Sequence, residues 1–125
     1  MEVAQVLVID DVAIVLKALQ LGLKKMGHAS EGTSDPHEAL VLARTNPPAL
    51  ALVDYRMPGM DGVAFFAALR DALGARCPKV LFVSATDPDE VRQGCARLGL
   101  EPVGVVRKPF SLDDLWLSVD QALAA

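Results

Sequence analysis

The feature that most constrains this chain is the regular recurrence of short apolar runs. Gln5-Val6-Leu7-Val8-Ile9, Ala29 to Gly32, Ala49-Leu50-Ala51-Leu52-Val53, Val80-Leu81-Phe82-Val83 and Val103 to Val106 are separated by stretches with helical periodicity. Continuous apolar runs of this length, rich in β-branched residues, suit strands buried on both faces. Strands joined through helices pair in parallel, and such crossovers are right-handed. The order predicted is (βα)5, a doubly wound five-stranded parallel sheet of the α/β class. The run at Ala29 to Gly32 is the weakest and belongs near a sheet edge.

The helices are punctuated. Val15, Leu19, Leu23 and Met26 form a stripe that Gly27 stops. Asp35-Pro36-His37-Glu38 supplies an N-cap, a proline at the first helical position and an acid two residues on, opening a helix to about Arg44. Pro47-Pro48 breaks the chain before the third strand. A third helix runs from Gly62 to about Leu73. Asp87-Pro88-Asp89-Glu90 opens a fourth, ended by Gly99. Ser111 caps the last, with Leu112, Leu115, Trp116, Val119 and Leu123 facing inward.

With 125 residues, the chain reads as one domain spanning 1–125. Its 52% hydrophobic content excludes a disordered tail. The net charge is −4 and the basic residues are scattered, which argues against nucleic-acid binding. Cys77 and Cys95 form no CxxC and read as reduced thiols. Met1-Glu2-Val3 is acidic where a secretory signal is basic, and no apolar run reaches the roughly 20 residues a membrane span needs. A cytoplasmic protein is expected.

In an open parallel sheet, ligands bind beyond the carboxyl ends of the strands. There the sequence places Asp10-Asp11, Asp54, Ser84 and Lys108-Pro109. Asp11 alone could equally cap the first helix. Together, three carboxylates, a hydroxyl and an ammonium on one rim suggest a binding site. Clustered carboxylates repel one another and push one pKa upward. A hard divalent cation such as Mg²⁺ relieves that repulsion, and the charges with Lys108 then sum to about zero. Such a rim suits phosphoryl transfer, in which positioning and electrostatics do most of the catalysis.

These residues carry a resemblance. Asp10-Asp11, the stretch Asp54-Tyr55-Arg56-Met57-Pro58-Gly59-Met60-Asp61-Gly62, Ser84-Ala85 and Lys108-Pro109-Phe110 resemble, in that order, the receiver domains of two-component response regulators, including the free-standing chemotaxis type. The resemblance covers essentially the whole chain. It implies a flavodoxin-like sheet of strand order 2-1-3-4-5. It also implies that Asp54 is the phosphoacceptor, served by a sensor histidine kinase or phosphotransfer protein. Asp10, Asp11, Asp54 and the backbone carbonyl of Arg56 would hold Mg²⁺, for which Mn²⁺ could substitute. Lys108 would pair with phosphoryl oxygens and Ser84 would move to hydrogen-bond them, carrying Ala85 and its loop. Arg56 and Thr86 would flank the pocket and set the phosphoryl lifetime, and Pro109 would follow a cis peptide. Such a domain is a phosphoacceptor rather than an enzyme, assisting only its own phosphorylation and dephosphorylation. Its output would pass through the face made by the fourth helix, fifth strand and last helix, to an attached domain or a downstream protein, and the domain could also form a homodimer.

The sequence departs from the family at Val105, where an aromatic residue is usual; valine turns only about χ1 and cannot make the same in–out exchange. That leaves open an alternative, a receiver fold docking without phosphorylation. Other readings fail on motif. A haloacid-dehalogenase phosphatase needs an acid at Val12, a P-loop enzyme needs GxxxxGK[ST], and a nicotinamide-binding domain needs GxGxxG after the first strand. Trp116 reads as core, His28 and His37 as surface residues, Met57 and Met60 as packing, and Leu117 as an exposed residue, either an ordinary surface leucine or part of a partner face.

Overall fold

The computed structural model describes residues 4–125; Met1-Glu2-Val3, on which the signal-peptide reading rests, lies outside them. The elements are β1 (Gln5–Ile9), α1 (Ala13–Lys25), β2 (Ala29–Thr33), α2 (Pro36–Thr45), β3 (Leu50–Val53), α3 (Gly62–Leu73), β4 (Lys79–Ser84), α4 (Pro88–Ala96), β5 (Gly104–Arg107) and α5 (Leu112–Ala124). One 3₁₀ turn, Gly74–Arg76, follows α3. The sheet is parallel, in the order β2-β1-β3-β4-β5. This is the doubly wound, flavodoxin-like α/β fold expected, with the weak second strand at an edge.

Strand side chains alternate between two cores. Leu7, Ile9, Ala51, Val53, Val80 and Phe82 face α2, α3 and α4, meeting Ala39, Phe65, Leu69, Val91 and Cys95. Val6, Val8, Leu50, Leu52, Leu81 and Val83 face α1 and α5, meeting Leu19, Leu23, Met26, Leu115 and Val119. Because both faces are covered, nearly every residue of the three central strands is buried. The two cysteines are free thiols, and burial pushes both upward in pKa.

Helix starts follow the punctuation. The Asp35 carboxylate accepts from His37 N, Asp87 from Asp89 N and Ser111 Oγ from Asp114 N. Asp61 adds a cap by accepting from Ala64 N. Three expectations are corrected. Asp11 caps nothing: Val12 is the N-cap of α1 without a side-chain bond. His28, expected at the surface, is only 5% exposed. After the turn at Gly27 (φ 88°), its Nδ1 accepts from Ala4 N at 3.1 Å, which holds the ring beneath the chain entering β1. Leu112, expected inside, is 40% exposed. As the first residue of α5 it overhangs α1 near Gly22 without being covered. Trp116 is half-buried against the core, Met57 is buried, and Leu117 is 60% exposed.

Candidate functional site

The sheet fixes the backbone of the carboxyl-end rim. Asp10 N donates to Thr33 O at 3.4 Å, Asp54 N to Ile9 O at 3.0 Å and Lys108 N to Ser84 O at 2.9 Å. The ladders thus continue one residue beyond the strands and deliver Asp10, Asp54 and Lys108 side by side. Behind Asp54 the chain turns tightly into α3. Gly62 N donates to Tyr55 O at 2.7 Å, and a Cβ on Gly62 would lie 2.3 Å from the Asp54 carbonyl oxygen. Only glycine leaves room for that approach.

Asp10, Asp11 and Asp54 each offer a carboxylate oxygen, all within 4.8 Å of one another. Lys108 Nζ lies 2.7 Å from Asp10 Oδ2 and 3.5 Å from Asp54 Oδ2. Asp10 is fully engaged, because its Oδ1 also accepts from Val12 N at 2.9 Å. Asp54 has the looser lysine contact and sits in a more costly environment. Burial pushes its pKa up, the Asp10 charge adds to that, Lys108 opposes it, and a hydrogen bond and charge from Asp11 raise it further. A single ammonium among three carboxylates leaves net negative charge in a largely desolvated cluster of oxygen donors. This acidic cluster could bind a metal ion, and its ligand type suits a hard divalent cation.

The buried Ser84 accepts through Oγ from Thr86 N at 3.2 Å. Ala85 is exposed beside it. The Arg56 side chain turns outward, donating from Nε to Thr86 Oγ1 at 3.2 Å and from Nη2 to Glu90 at 2.9 Å. Val105, paired in register with Phe82, is half-buried against the core on the α4 side of the sheet. The Lys108-Pro109 peptide is cis. Sequence reasoning missed Glu90 as a neighbour of this rim. Its only signal was as a first-turn acid of α4, which says nothing of the arginine it meets.

An open parallel sheet with an acidic carboxyl-end rim and one lysine defines a doubly wound α/β domain with a candidate cation site, and comparison with known proteins specifies its family. Residues 6–120 match the model of the response regulator receiver domain, and the chain belongs to that family. It is 26% identical to a probable chemotaxis protein CheY of Rhizobium etli, over 99% of this chain and 95% of that protein. It is 34% identical to part of the sensor histidine kinase AruS of Pseudomonas aeruginosa and 32% to part of the transcriptional regulatory protein CseB of Streptomyces avermitilis. The match covers 89% and 87% of this chain, but only 11% of the former and 44% of the latter. Among solved structures, Vibrio cholerae chemotaxis protein CheY4 superposes with a TM-score of 0.87 at 25% identity, covering 97% of this chain and 99% of that one. The chain is thus a receiver domain of two-component signalling. Among the described residues, no helix is long and apolar enough to cross a membrane.

Proposed function

We propose that Asp54 accepts a phosphoryl group from a phosphohistidine on a sensor histidine kinase or phosphotransfer protein, making residues 1–125 a single phosphorylation-dependent switch domain of the cytoplasm. A carboxylate oxygen of Asp54 attacks phosphorus, the phosphorus–nitrogen bond breaks, and the imidazole leaves with the electron pair. The observation that carries this assignment is the unequal state of the two buried aspartates. Both Asp10 oxygens are occupied, by Val12 N–H and by Lys108, whereas Asp54 meets the lysine only at 3.5 Å and its other carboxyl-side neighbour is a second acid, Asp11. A carboxylate that burial and neighbouring charge have already destabilised has less solvation to lose on attack.

Asp10, Asp11, Asp54 and the Arg56 carbonyl would hold Mg²⁺ or Mn²⁺, which when bound would neutralise the charge of the cluster and of the transferring group. Lys108 is in reach of a phosphoryl oxygen without leaving the rim, and the Ser84 hydroxyl would donate to another. Val105 is too small to take up much vacated space, so the signal would reach the α4–β5–α5 face through the Ser84-Ala85-Thr86 segment and α4. An output domain, a downstream protein or a second copy would read that face.

The test is phosphorylation by acetyl phosphate with no kinase. A mass increase of about 80 Da, one phosphoryl group, is expected in Mg²⁺ and not in EDTA. Asp54→Asn should lose it. Undiminished labelling of Asp54→Asn would assign the chemistry to another residue.

A further inference from the structure

Three consecutive polar contacts tie the Ser84 hydroxyl to the first turn of α4. Glu90 Oε2 accepts from Arg56 Nη2 at 2.9 Å, Arg56 Nε donates to Thr86 Oγ1 at 3.2 Å, and Thr86 N donates to Ser84 Oγ at 3.2 Å. The residues come from three segments: the loop after Asp54, the loop after β4, and α4 itself. Arg56 is further restrained by the Tyr55 ring, whose centroid lies 5.8 Å from its guanidinium carbon. Tyr55 in turn rests on α4 where Gly94 has no side chain; a Cβ there would lie 3.0 Å from the Tyr55 hydroxyl.

We infer that Glu90 is a positioning residue: acting through Arg56 and Thr86, it holds the Ser84-Ala85-Thr86 segment in its resting place and opposes movement of the Ser84 hydroxyl toward a phosphoryl group. The inference rests on the phosphoacceptor role proposed for Asp54. Movement of Thr86 relative to Arg56 disturbs their 3.2 Å contact, and Arg56 cannot follow freely while Glu90 and Tyr55 hold its guanidinium. The restraint is small by construction. The Arg56 and Glu90 side chains are 72% and 52% exposed, and exposed pairs of this kind shift an equilibrium by about two- to five-fold. A tether of that size biases the segment without locking it, and salt screens it.

The test uses the whole chain and two readouts, one of which needs no phosphoryl group. Amide hydrogen exchange at Thr86, followed by NMR on the unphosphorylated protein at low salt, should be about two- to five-fold faster in Glu90→Ala. The difference should shrink at about 0.5 M salt. Beryllofluoride, a mimic of the phosphoryl group, should bind Glu90→Ala more tightly by a similar factor in the presence of Mg²⁺. Glu90→Gln, which keeps the acceptor and loses the charge, should fall between Glu90→Ala and wild type. Thr86→Val, which cuts the chain of contacts from its other side, should reproduce the tighter binding. If Glu90 served only the α4 helix start, exchange would instead rise through the whole first turn of α4, with beryllofluoride affinity unchanged or weaker. That pattern, or an unchanged Thr86 amide, overturns the inference. If Thr86 responds as expected but wild type and Asp54→Asn take beryllofluoride equally, the role of Asp54 is what fails.

Discussion

Replacing Gly62 by alanine tests whether the backbone around Asp54 is as tightly built as it looks. A Cβ at this position would lie 2.3 Å from the Asp54 carbonyl oxygen, 2.8 Å from Phe82 Cε1 and 2.9 Å from the Tyr55 Cα. Two of the three neighbours are main chain, and the third is a fully buried ring on a central strand. None is the free end of a flexible side chain. The overlap must therefore be relieved by moving the start of α3 away from β3, which strains the 2.7 Å bond from Gly62 N to Tyr55 O. Overpacking of this kind costs about 1–3 kcal/mol, and partial loss of a buried backbone hydrogen bond adds about 1 kcal/mol. Alanine returns at most about 1 kcal/mol of helix propensity. A net loss of about 1–3 kcal/mol is expected, against a typical total of about 5–15 kcal/mol.

Urea unfolding followed by the fluorescence of Trp116, the single tryptophan, would measure it. Gly22→Ala is the appropriate contrast. Its Cβ would meet only side-chain ends, Leu115 Cδ2 at 3.0 Å and Leu112 Cδ1 at 3.3 Å, and it sits inside α1. There the propensity gain should offset the crowding, leaving stability within about 0.5 kcal/mol of wild type. Equal stabilities for Gly62→Ala and wild type would refute the claim that main chain, and not merely a preference for glycine in turns, fixes this residue.

Two further outcomes follow from the electrostatics of the rim. Asp54 has its pKa raised in the fold, above the ordinary 3.8, by burial, Asp10 and Asp11, with Lys108 opposing. A raised pKa contributes stability that is present below the unfolded value and lost as pH rises through the folded one, so ionised Asp54 destabilises the fold at neutral pH. Asp54→Asn in EDTA should therefore have a higher urea midpoint than wild type at pH 7, with the gap closing toward pH 3; a lower midpoint at pH 7 would contradict the sign. Asp11→Ala should weaken Mg²⁺ binding, because the cluster loses one of its three carboxylates. Equal Mg²⁺ affinity in wild type and mutant, measured by calorimetry, would remove Asp11 from the metal site.

Much of this rim was legible in the sequence because its assembly is a consequence of topology. Val6-Leu7-Val8-Ile9, Leu50-Ala51-Leu52-Val53 and Val80-Leu81-Phe82-Val83 can be continuous apolar runs only if both faces are covered, and coverage by crossover helices makes the strands parallel. Parallel strands all end at the same rim. The residues just past Ile9 and Val53, and those closing the fourth and fifth strands, are therefore neighbours whatever their separation in sequence. What stayed illegible depends on side-chain reach and local turns, which no periodicity encodes. His28 lies under Ala4 because of the turn at Gly27, and Asp11 is free of α1 because Asp10 takes the Val12 N–H instead. Glu90 meets Arg56 across 34 residues of chain, although each reads on its own as an ordinary surface charge.

The same topology sets the electrical character of the site. Crossover helices run antiparallel to the strands they join, so α1 to α5 all begin at the rim where the strands end. Four of those starts present unpaired N–H groups to a side-chain oxygen, at Asp35, Asp61, Asp87 and Ser111. The positive ends of the helix dipoles are therefore largely met by the chain's own caps. Asp10 gives one oxygen to Val12 N–H near the start of α1, and the other to Lys108. Asp54 has no such helix start of its own: the one that follows it, α3, is capped by Asp61. Its charge falls to Lys108 and to whatever cation the three carboxylates hold. Of the rim's two buried acids, Asp54 is therefore the one whose charge is less fully met, and the positions of the caps and the lysine are enough to make it so.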